Sequence, residues 1–388
     1  MKVPFSKVDC NGNELTYIKE VLSSGWLTTA SKTIEFEEKF AQMVGVKHAL
    51  AVNSCTSALH LALESLGVGP GDRVLVPTLT FTATAEIVRY LGAEPYFVDV
   101  DYRSGLICYE ATKKAIKNVS NIKACMVVHF AGQSADMLGN RGILDLCESN
   151  GIKVVQDAAH AFPSQDTYGS VGSIGELTCF SFYANKTITT GEGGMLVTNN
   201  DAYAERIKLM RLHGINRDVW KRFTTKSSSW EYDVIEPGFK YNMPDLNSAV
   251  GLAQLERAEE FRLDRQRCAL DYIEWIDNEG FADRLALRVK PEWHSWHLFP
   301  ILLAEPDCEL RNRLILALSE DGIGTSVHYK PLHRMTYYKD KYNLKAESFP
   351  NAELFWKSCI SLPIYSSLQA NELCYVKERV SYHAGKLL

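Results

Sequence analysis

Lys186 stands between an apolar run and a glycine-rich turn, in the segment Phe180-Ser-Phe-Tyr-Ala-Asn-Lys186-Thr-Ile-Thr-Thr-Gly-Glu-Gly-Gly194. A lysine amine condenses with a carbonyl to form a Schiff base only when burial or nearby charge makes it nucleophilic. Its neighbours are small or hydroxylic, and Gly191, Gly193 and Gly194 let other backbone approach closely. A surface lysine beside a turn would look the same in this segment alone. Residues elsewhere in the chain must decide.

Lys153-Val-Val-Gln-Asp157-Ala-Ala-His160-Ala reads as a short buried strand that delivers an aspartate and a histidine at its end. In open α/β sheets, ligands sit beyond the carboxyl ends of strands. A carboxylate there can hold a pyridine nitrogen protonated and make the ring an electron sink, which suits pyridoxal phosphate (PLP). Asp157 also fits a helix N-cap, and both roles can hold together. The lysine downstream favours the cofactor.

His48-Ala-Leu-Ala-Val-Asn-Ser54-Cys-Thr56-Ser57 and the apolar stretch after it read as strand, hydroxyl-rich turn and helix. Free N–H groups and the helix dipole at such a turn bind anions, and Thr56 and Ser57 add hydroxyl donors. A simple N-cap with no ligand has the same pattern. Val74-Leu-Val-Pro77-Thr-Leu-Thr-Phe81 is a second strand running into a hydroxyl-rich turn, with Phe81 placed to stack on a flat ring or to join the core.

Together these segments resemble the DegT/DnrJ/EryC1/StrS nucleotide-sugar aminotransferases. The likeness begins at Ser24-Gly-Trp-Leu-Thr28-Thr29 and passes through Gly71-Asp72, Phe97-Val-Asp99-Val-Asp101, Asp157-Ala-Ala-His160 and Lys186 to Glu192-Gly-Gly. It continues with Gly238-Phe-Lys240-Tyr-Asn242-Met, Trp296-His297-Leu-Phe and Ser361-Leu-Pro. Within the family, the stretches around Lys240, His294-Ser-Trp296-His297 and Gly324-Thr-Ser-Val-His328-Tyr-Lys-Pro-Leu-His333 are most similar to UDP-4-amino-4-deoxy-L-arabinose synthase and other sugar 4-aminotransferases.

The resemblance implies an α/β fold, the PLP-dependent transferase type I (aspartate aminotransferase-like), with a mostly parallel mixed sheet. It implies that Lys186 carries the PLP aldehyde and that Asp157 pairs with the ring nitrogen. His160 would face the cofactor's 3-hydroxyl edge, Thr56, Ser57 and Ser181 would bind its phosphate, and Phe81 would stack on its ring. The segment from Lys240 to Asn242 would reach the neighbouring subunit's site, which makes a homodimer with shared active sites. Four positions depart from the family pattern: Cys55, Gln156 and Ala30 replace the usual Gly, Glu and Gly, and Lys240 stands where Asn is frequent.

The implied reaction moves an amino group from L-glutamate, leaving 2-oxoglutarate, to the keto carbon of a nucleotide-linked keto-sugar, at C4. Lys186 would serve as acid and base in both halves. Candidates to meet the nucleotide diphosphate are His328, His333, Lys330, Lys240 and Arg211, each of which also reads as a surface or packing residue. Thr28 and Thr29 fall in a loop that would shape sugar choice. Trp296 and His297 would line the substrate channel, with core as the other reading of Trp296.

The chain has 388 residues, 46% of them apolar, enough for two domains with substantial cores. The expected division is a PLP-binding large domain over 1–250 and a small C-terminal α/β domain over 251–388. Net charge is −5 with no basic stripe, against nucleic acid as a partner. The ten cysteines lack CxxC spacing, so reduced core thiols are expected at Cys125, Cys179 and Cys359, and no metal site. No apolar leader or membrane-length run is present, so a cytoplasmic protein is expected.

Seven apolar runs predict sheet strands: Ala49–Val52, Arg73–Val76, Pro95–Val98, Ala124–Val128, Lys153–Val155, Leu177–Phe182 and Met195–Thr198. Beyond them the pattern predicts a helix over 203–212, a long loop over 215–240 and one long helix from Asp245 to about Asn278. Strands follow near Ala286–Val289, His297–Leu303 and Gly324–His328, with helices near Cys308–Asp321 and Ala370–Ala384.

Two other readings remain: amination of a 3-keto-sugar nucleotide, and a non-catalytic PLP-fold binding or regulatory protein. A deoxygenating dehydratase of this family would carry His in place of Lys186. The purified protein is expected to absorb in the visible or near-UV, to change on adding glutamate, and to lose both in Lys186→Ala. A colourless protein whose PLP affinity survives that substitution would support the non-catalytic reading.

Overall fold

Runs of aliphatic and β-branched residues build one seven-stranded sheet in the computed structural model, which describes residues 1–216, 232–279 and 293–387. The strands are β1 (His48–Val52), β2 (Arg73–Pro77), β3 (Glu94–Val98), β4 (Ile122–Val128), β5 (Lys153–Asp157), β6 (Leu177–Ser181) and β7 (Gly194–Thr198). They lie in the order β1-β7-β6-β5-β4-β2-β3. Pairings from β3 to β6 are parallel, and β7 runs antiparallel to both β6 and β1. Continuous apolar runs suit strands covered on both faces, and β6 and β7 are buried at every position. The mostly parallel mixed sheet agrees with the expected fold.

The covering helices are α1 (Glu14–Ser24), α2 (Ser31–Val44), α3 (Cys55–Ser65), α4 (Ala83–Tyr90), α5 (Tyr109–Asn118), α6 (Ile143–Glu148) and α7 (Asp201–Met210). Asn200 caps α7, its side chain accepting the Ala202 and Tyr203 N–H groups. Asp245 does the same at long range for α2. Its carboxylate accepts from the N–H groups of Ala30 at 2.7 Å, Thr33 at 3.0 Å and Lys32 at 3.1 Å.

The expected helix from Asp245 to Asn278 is two helices, α8 (Asp245–Glu256) and α9 (Ala258–Asn278). They break at Arg257 (φ −109°, ψ 7°), whose guanidinium pairs with Asp9 at 3.0 Å and Glu260 at 2.8 Å. The C-terminal part continues with β8 (Phe299–Leu302), α10 (Cys308–Glu320), α11 (Thr336–Tyr342), α12 (Pro350–Ser358), β9 (Cys359–Leu362) and α13 (Ala370–Leu387), and β8 and β9 pair antiparallel.

The expected strand at Gly324–His328 is reduced to a single bridge, Ser326 to Ser361, with Ile323 just before it bridged to Val3. Its partners change from residue to residue: the Gly324 N–H donates to the Val3 carbonyl at 2.8 Å, and the Ser326 N–H to that of Ser361 at 3.2 Å. The expected strand at 286–289 and most of the expected loop over 215–240 lie outside the described residues. The loop's described ends are joined by bridges between Leu212 and Lys240 and between Ile215 and Val234.

Three apolar clusters hold the described residues together. One lies against the central strands, one joins α9, β8, β9, α10 and α13, and the third gathers Phe36, Phe40, Phe162, Phe180 and Phe182. Some chain segments cross between them: Val3 packs in the second cluster, Leu252 and Phe261 in the third, and Phe349 and Phe355 in the first. No helix among the described residues is long and apolar enough to cross a membrane. Cys125, Cys179 and Cys359 are buried free thiols.

Phe40 is fully buried and packs on Phe162 at 4.6 Å, Phe180 at 5.2 Å and Phe182 at 5.5 Å between ring centroids. Phe40→Ala is expected to destabilise the chain by about 3–5 kcal/mol, read as a lower urea midpoint with an unchanged slope.

Candidate active site

The parallel strands end at one edge of the sheet, and β7, running the other way, brings its first residue to that edge. Gly194 pairs with Ser181 on one side and Val52 on the other. Asp157 ends β5 there, 5% exposed, and its carboxylate accepts the Thr84 hydroxyl at 2.8 Å and the Ala159 N–H at 3.2 Å. The Thr84 hydroxyl in turn lies 2.8 Å from that of Thr80. Burial raises the Asp157 pKa above the usual carboxylate value, against the pull of these hydrogen bonds and of Lys186. Asp157 thus caps the turn after β5 and also turns its charge toward Lys186.

Lys186 follows β6 in a turn closed by its N–H to the Tyr183 carbonyl at 3.0 Å. Its amine lies 3.4 Å from His297 Nε2. Burial lowers its pKa to about 8, although Cys55 and Asp157 pull the other way. The loss of hydration outweighs those neighbours, so a good share of the amine is neutral in mildly alkaline solution.

The turn before α3 is shaped for an anion. Ser54 caps the helix by accepting the Ser57 N–H at 3.1 Å, and the Ser57 hydroxyl donates to Asn53 at 2.6 Å. Ser57 Oγ is therefore already engaged, whereas Thr56 Oγ1 has no hydrogen-bond partner among the described residues and joins the free first-turn N–H groups. Gly194 keeps this turn close: a Cβ there would lie 2.6 Å from Cys55 N. Ser181 is buried nearby, its hydroxyl accepting the Tyr183 N–H at 3.4 Å. Phe81, just before α4, is 59% exposed, with its ring 6.2 Å from that of Tyr329.

His160 is buried and neutral, its pKa driven well below the usual value by burial and by the charge of Lys186. The Ala131 N–H donates to Nδ1 at 3.2 Å, so the ring proton sits on Nε2 and faces the Tyr329 hydroxyl at 2.9 Å. That hydroxyl then keeps its own proton for another acceptor. Sequence reasoning missed Tyr329; the one signal was its place between His328 and Lys330 in a family-like stretch. These residues fit PLP: a carboxylate for the ring nitrogen, a desolvated amine, an anion-binding turn, and an exposed phenyl ring beside them.

Other candidates take different places. Trp296 is 1% exposed, in the second cluster, with φ 51°, and its ring stacks on His294 at 4.1 Å. His328 is half-buried, 2.9 Å from the Ser361 hydroxyl, and its ring stacks on Phe5. His333 is buried between Thr78 at 2.8 Å and Glu353 at 2.7 Å, both ring nitrogens engaged. Arg211 is held by Glu37 and the Ala51 carbonyl. Lys330 is exposed. A second patch joins Thr29, Lys240 and Asn242: Asn242 donates to the Thr29 hydroxyl at 2.7 Å, and Lys240 reaches the Asn242 side-chain oxygen. Thr28 is exposed beside it. The Asn53 N–H ties this patch to the α3 turn through the Tyr241 carbonyl at 2.8 Å.

The model of the DegT/DnrJ/EryC1/StrS aminotransferase family matches residues 9–381. The spore coat polysaccharide biosynthesis protein SpsC of Bacillus subtilis is 39% identical over 381 residues, 97% of this chain and 96% of SpsC. Among solved structures, the PMP form of Spr1654 from Streptococcus pneumoniae superposes with a TM-score of 0.91 at 32% identity, over 100% of both chains. PseC of Helicobacter pylori, an aminotransferase involved in the biosynthesis of pseudoaminic acid, gives 0.90 at 28% identity, again over 100% of both chains.

Gly194→Ala is expected to push the α3 turn away from β7 and weaken PLP binding roughly tenfold or more, with Lys186 untouched. Equilibrium dialysis of PLP against the variant checks this, and unchanged affinity would remove the α3 turn from the site.

Proposed function

Because this chain belongs to the DegT/DnrJ/EryC1/StrS aminotransferase family, we propose that it transfers an amino group from L-glutamate to the keto carbon, at C4, of a nucleotide-linked sugar, with PLP as cofactor. The observation that carries this reading is Lys186, desolvated and under the charge of Asp157, at the sheet edge that also holds the α3 turn. SpsC and PseC, named for polysaccharide and pseudoaminic acid biosynthesis, support a sugar substrate. Spr1654, solved in PLP and PMP forms, supports the cofactor.

When bound, PLP supplies an exchangeable carbonyl carbon and a ring that takes up electron density. Asp157 holds a proton at the ring nitrogen, its carboxylate aimed by Thr84 and Ala159. The α3 N–H groups and Thr56 Oγ1 hold the phosphate, and Phe81 offers a flat apolar face. Lys186 Nζ accepts and returns the proton moved in each half of the exchange, as its lowered pKa allows. His160 would face the ring's hydroxyl edge, with its own ring proton directed to Tyr329. The segment from Lys240 to Asn242, by the family resemblance, reaches the site of a second copy and makes a homodimer, and the loop holding Thr28 and Thr29 shapes the choice of sugar.

Offered glutamate and a panel of keto-sugar nucleotides, the protein is expected to aminate a 4-keto-6-deoxyhexose or 4-keto pentose nucleotide, identified by product mass and amine position. Turnover of 3-keto sugars alone would overturn the C4 assignment and leave an aminotransferase. Asp157→Asn is expected to lower kcat at least roughly a hundredfold while Lys186 still forms its borohydride-trapped PLP adduct.

A further inference from the structure

His297 lies at the joint between the C-terminal part of the chain and the sheet edge. It belongs to His294-Ser-Trp-His297, which is clipped to the large sheet's loops at several points. The Ser295 hydroxyl donates to the His160 carbonyl at 2.7 Å, the Ser295 N–H to the Ser164 hydroxyl at 3.1 Å, and the Leu298 N–H to the Ala131 carbonyl at 3.1 Å. Contact is close enough that a Cβ at Gly132 would lie 2.2 Å from Ser295 Oγ. On the other side, buried Arg265 of α9 donates to the carbonyls of Trp296 at 3.2 Å and Ile364 at 2.9 Å. The Trp296 backbone is in the left-handed region, with its N–H held by His294 Nδ1 at 2.7 Å. A bulky residue seldom stays there unless its surroundings over-determine it. This geometry turns the next side chain, His297, toward Lys186.

His297 is 5% exposed, its Nε2 is 3.4 Å from Lys186 Nζ, and its Nδ1 is buried with no hydrogen-bond partner among the described residues. We propose that His297 is a catalytic acceptor: a neutral imidazole carrying its proton on Nδ1, it takes a hydrogen bond from Lys186 Nζ and sets the direction of the amine. The assignment rests on the function proposed above, in which Lys186 is the reacting amine. It adds that the C-terminal part of the chain, through the Ser295 clip, helps aim that amine.

The electrostatics agree. Burial keeps His297 well below its usual pKa, and the charges of Lys186 and Arg265 act in the same direction, so it accepts rather than donates toward an ammonium. His160, its ring 4.4 Å away, and His328 also face this space. On the Lys186 side the facing groups are Asp157 and Cys55. Hydrogen bonding to the charged form raises a lysine pKa, so removing the acceptor must lower it.

The experiment titrates the Lys186 amine in the full chain without cofactor, by pH-dependent acylation followed by mass spectrometry, in wild type, His297→Leu and His297→Gln. Each protein is also treated with PLP and borohydride. The expected result is a titration midpoint about one pH unit lower in His297→Leu and restored in His297→Gln, whose side-chain oxygen can accept in place of Nε2. In the loaded enzyme, His297→Leu should lower kcat for glutamate at least roughly tenfold with KM little changed. A midpoint that does not move in His297→Leu, while the Lys186 adduct still forms, overturns the assignment of His297 alone. Absence of that adduct in wild type overturns the underlying function. Should His297→Leu fail to fold, histidine ¹⁵N shifts of the wild type decide: a proton on His297 Nδ1 supports the proposal, and a proton on Nε2 overturns it.

Discussion

The loss of water around Lys186 is the constraint on which the rest of the site depends. In solution its amine would be protonated throughout the neutral range; burial brings its pKa to about 8. The fold reaches this by surrounding one amine with elements from three sources: the turn after β6, the carboxyl end of β5, and the His294–His297 segment. The two acid–base groups beside it at the end of β5 already have partners of their own, so they compete little for the amine. Asp157 is tied to Thr84 and Ala159, and His160 to Ala131 and Tyr329.

A second feature of the site is direct contact between a glycine and a helix start. β7 enters the sheet antiparallel, so its first residue, Gly194, meets the turn before α3 instead of leaving the site at the far edge. The lack of a side chain lets the two backbones touch. The glycine-rich segment after Lys186 thus makes room for the helix terminus that can hold an anion, linking two motifs far apart in the chain.

Much of this was legible in the sequence. The sheet strands were placed within one or two residues because continuous apolar runs signal strands covered on both faces. Asp157, His160 and Lys186 stood out because each follows such a run, where ligands gather. What could not be read depends on partners far away. Tyr329 reaches His160 across 169 residues, and the break at Arg257 follows its pairing with Asp9, with helix-forming residues on both sides. His333 and Trp296 have side chains suited to a ligand, yet tertiary packing gives one to Thr78 and Glu353 and the other to an apolar cluster.

The first residues of the chain pack with its C-terminal part. Val3 packs among α9, β8 and α10 residues, its N–H donates to the Gly322 carbonyl at 2.9 Å, and its carbonyl accepts from Gly324 at 2.8 Å. The C-terminal part is therefore joined to the rest by two covalent crossings, one through the opening segment and one at the α8–α9 corner. Trimming the chain from its first end would therefore empty the Val3 place in the second cluster and leave the Gly322 carbonyl and the Gly324 N–H without those partners, a loss felt among residues more than three hundred positions downstream.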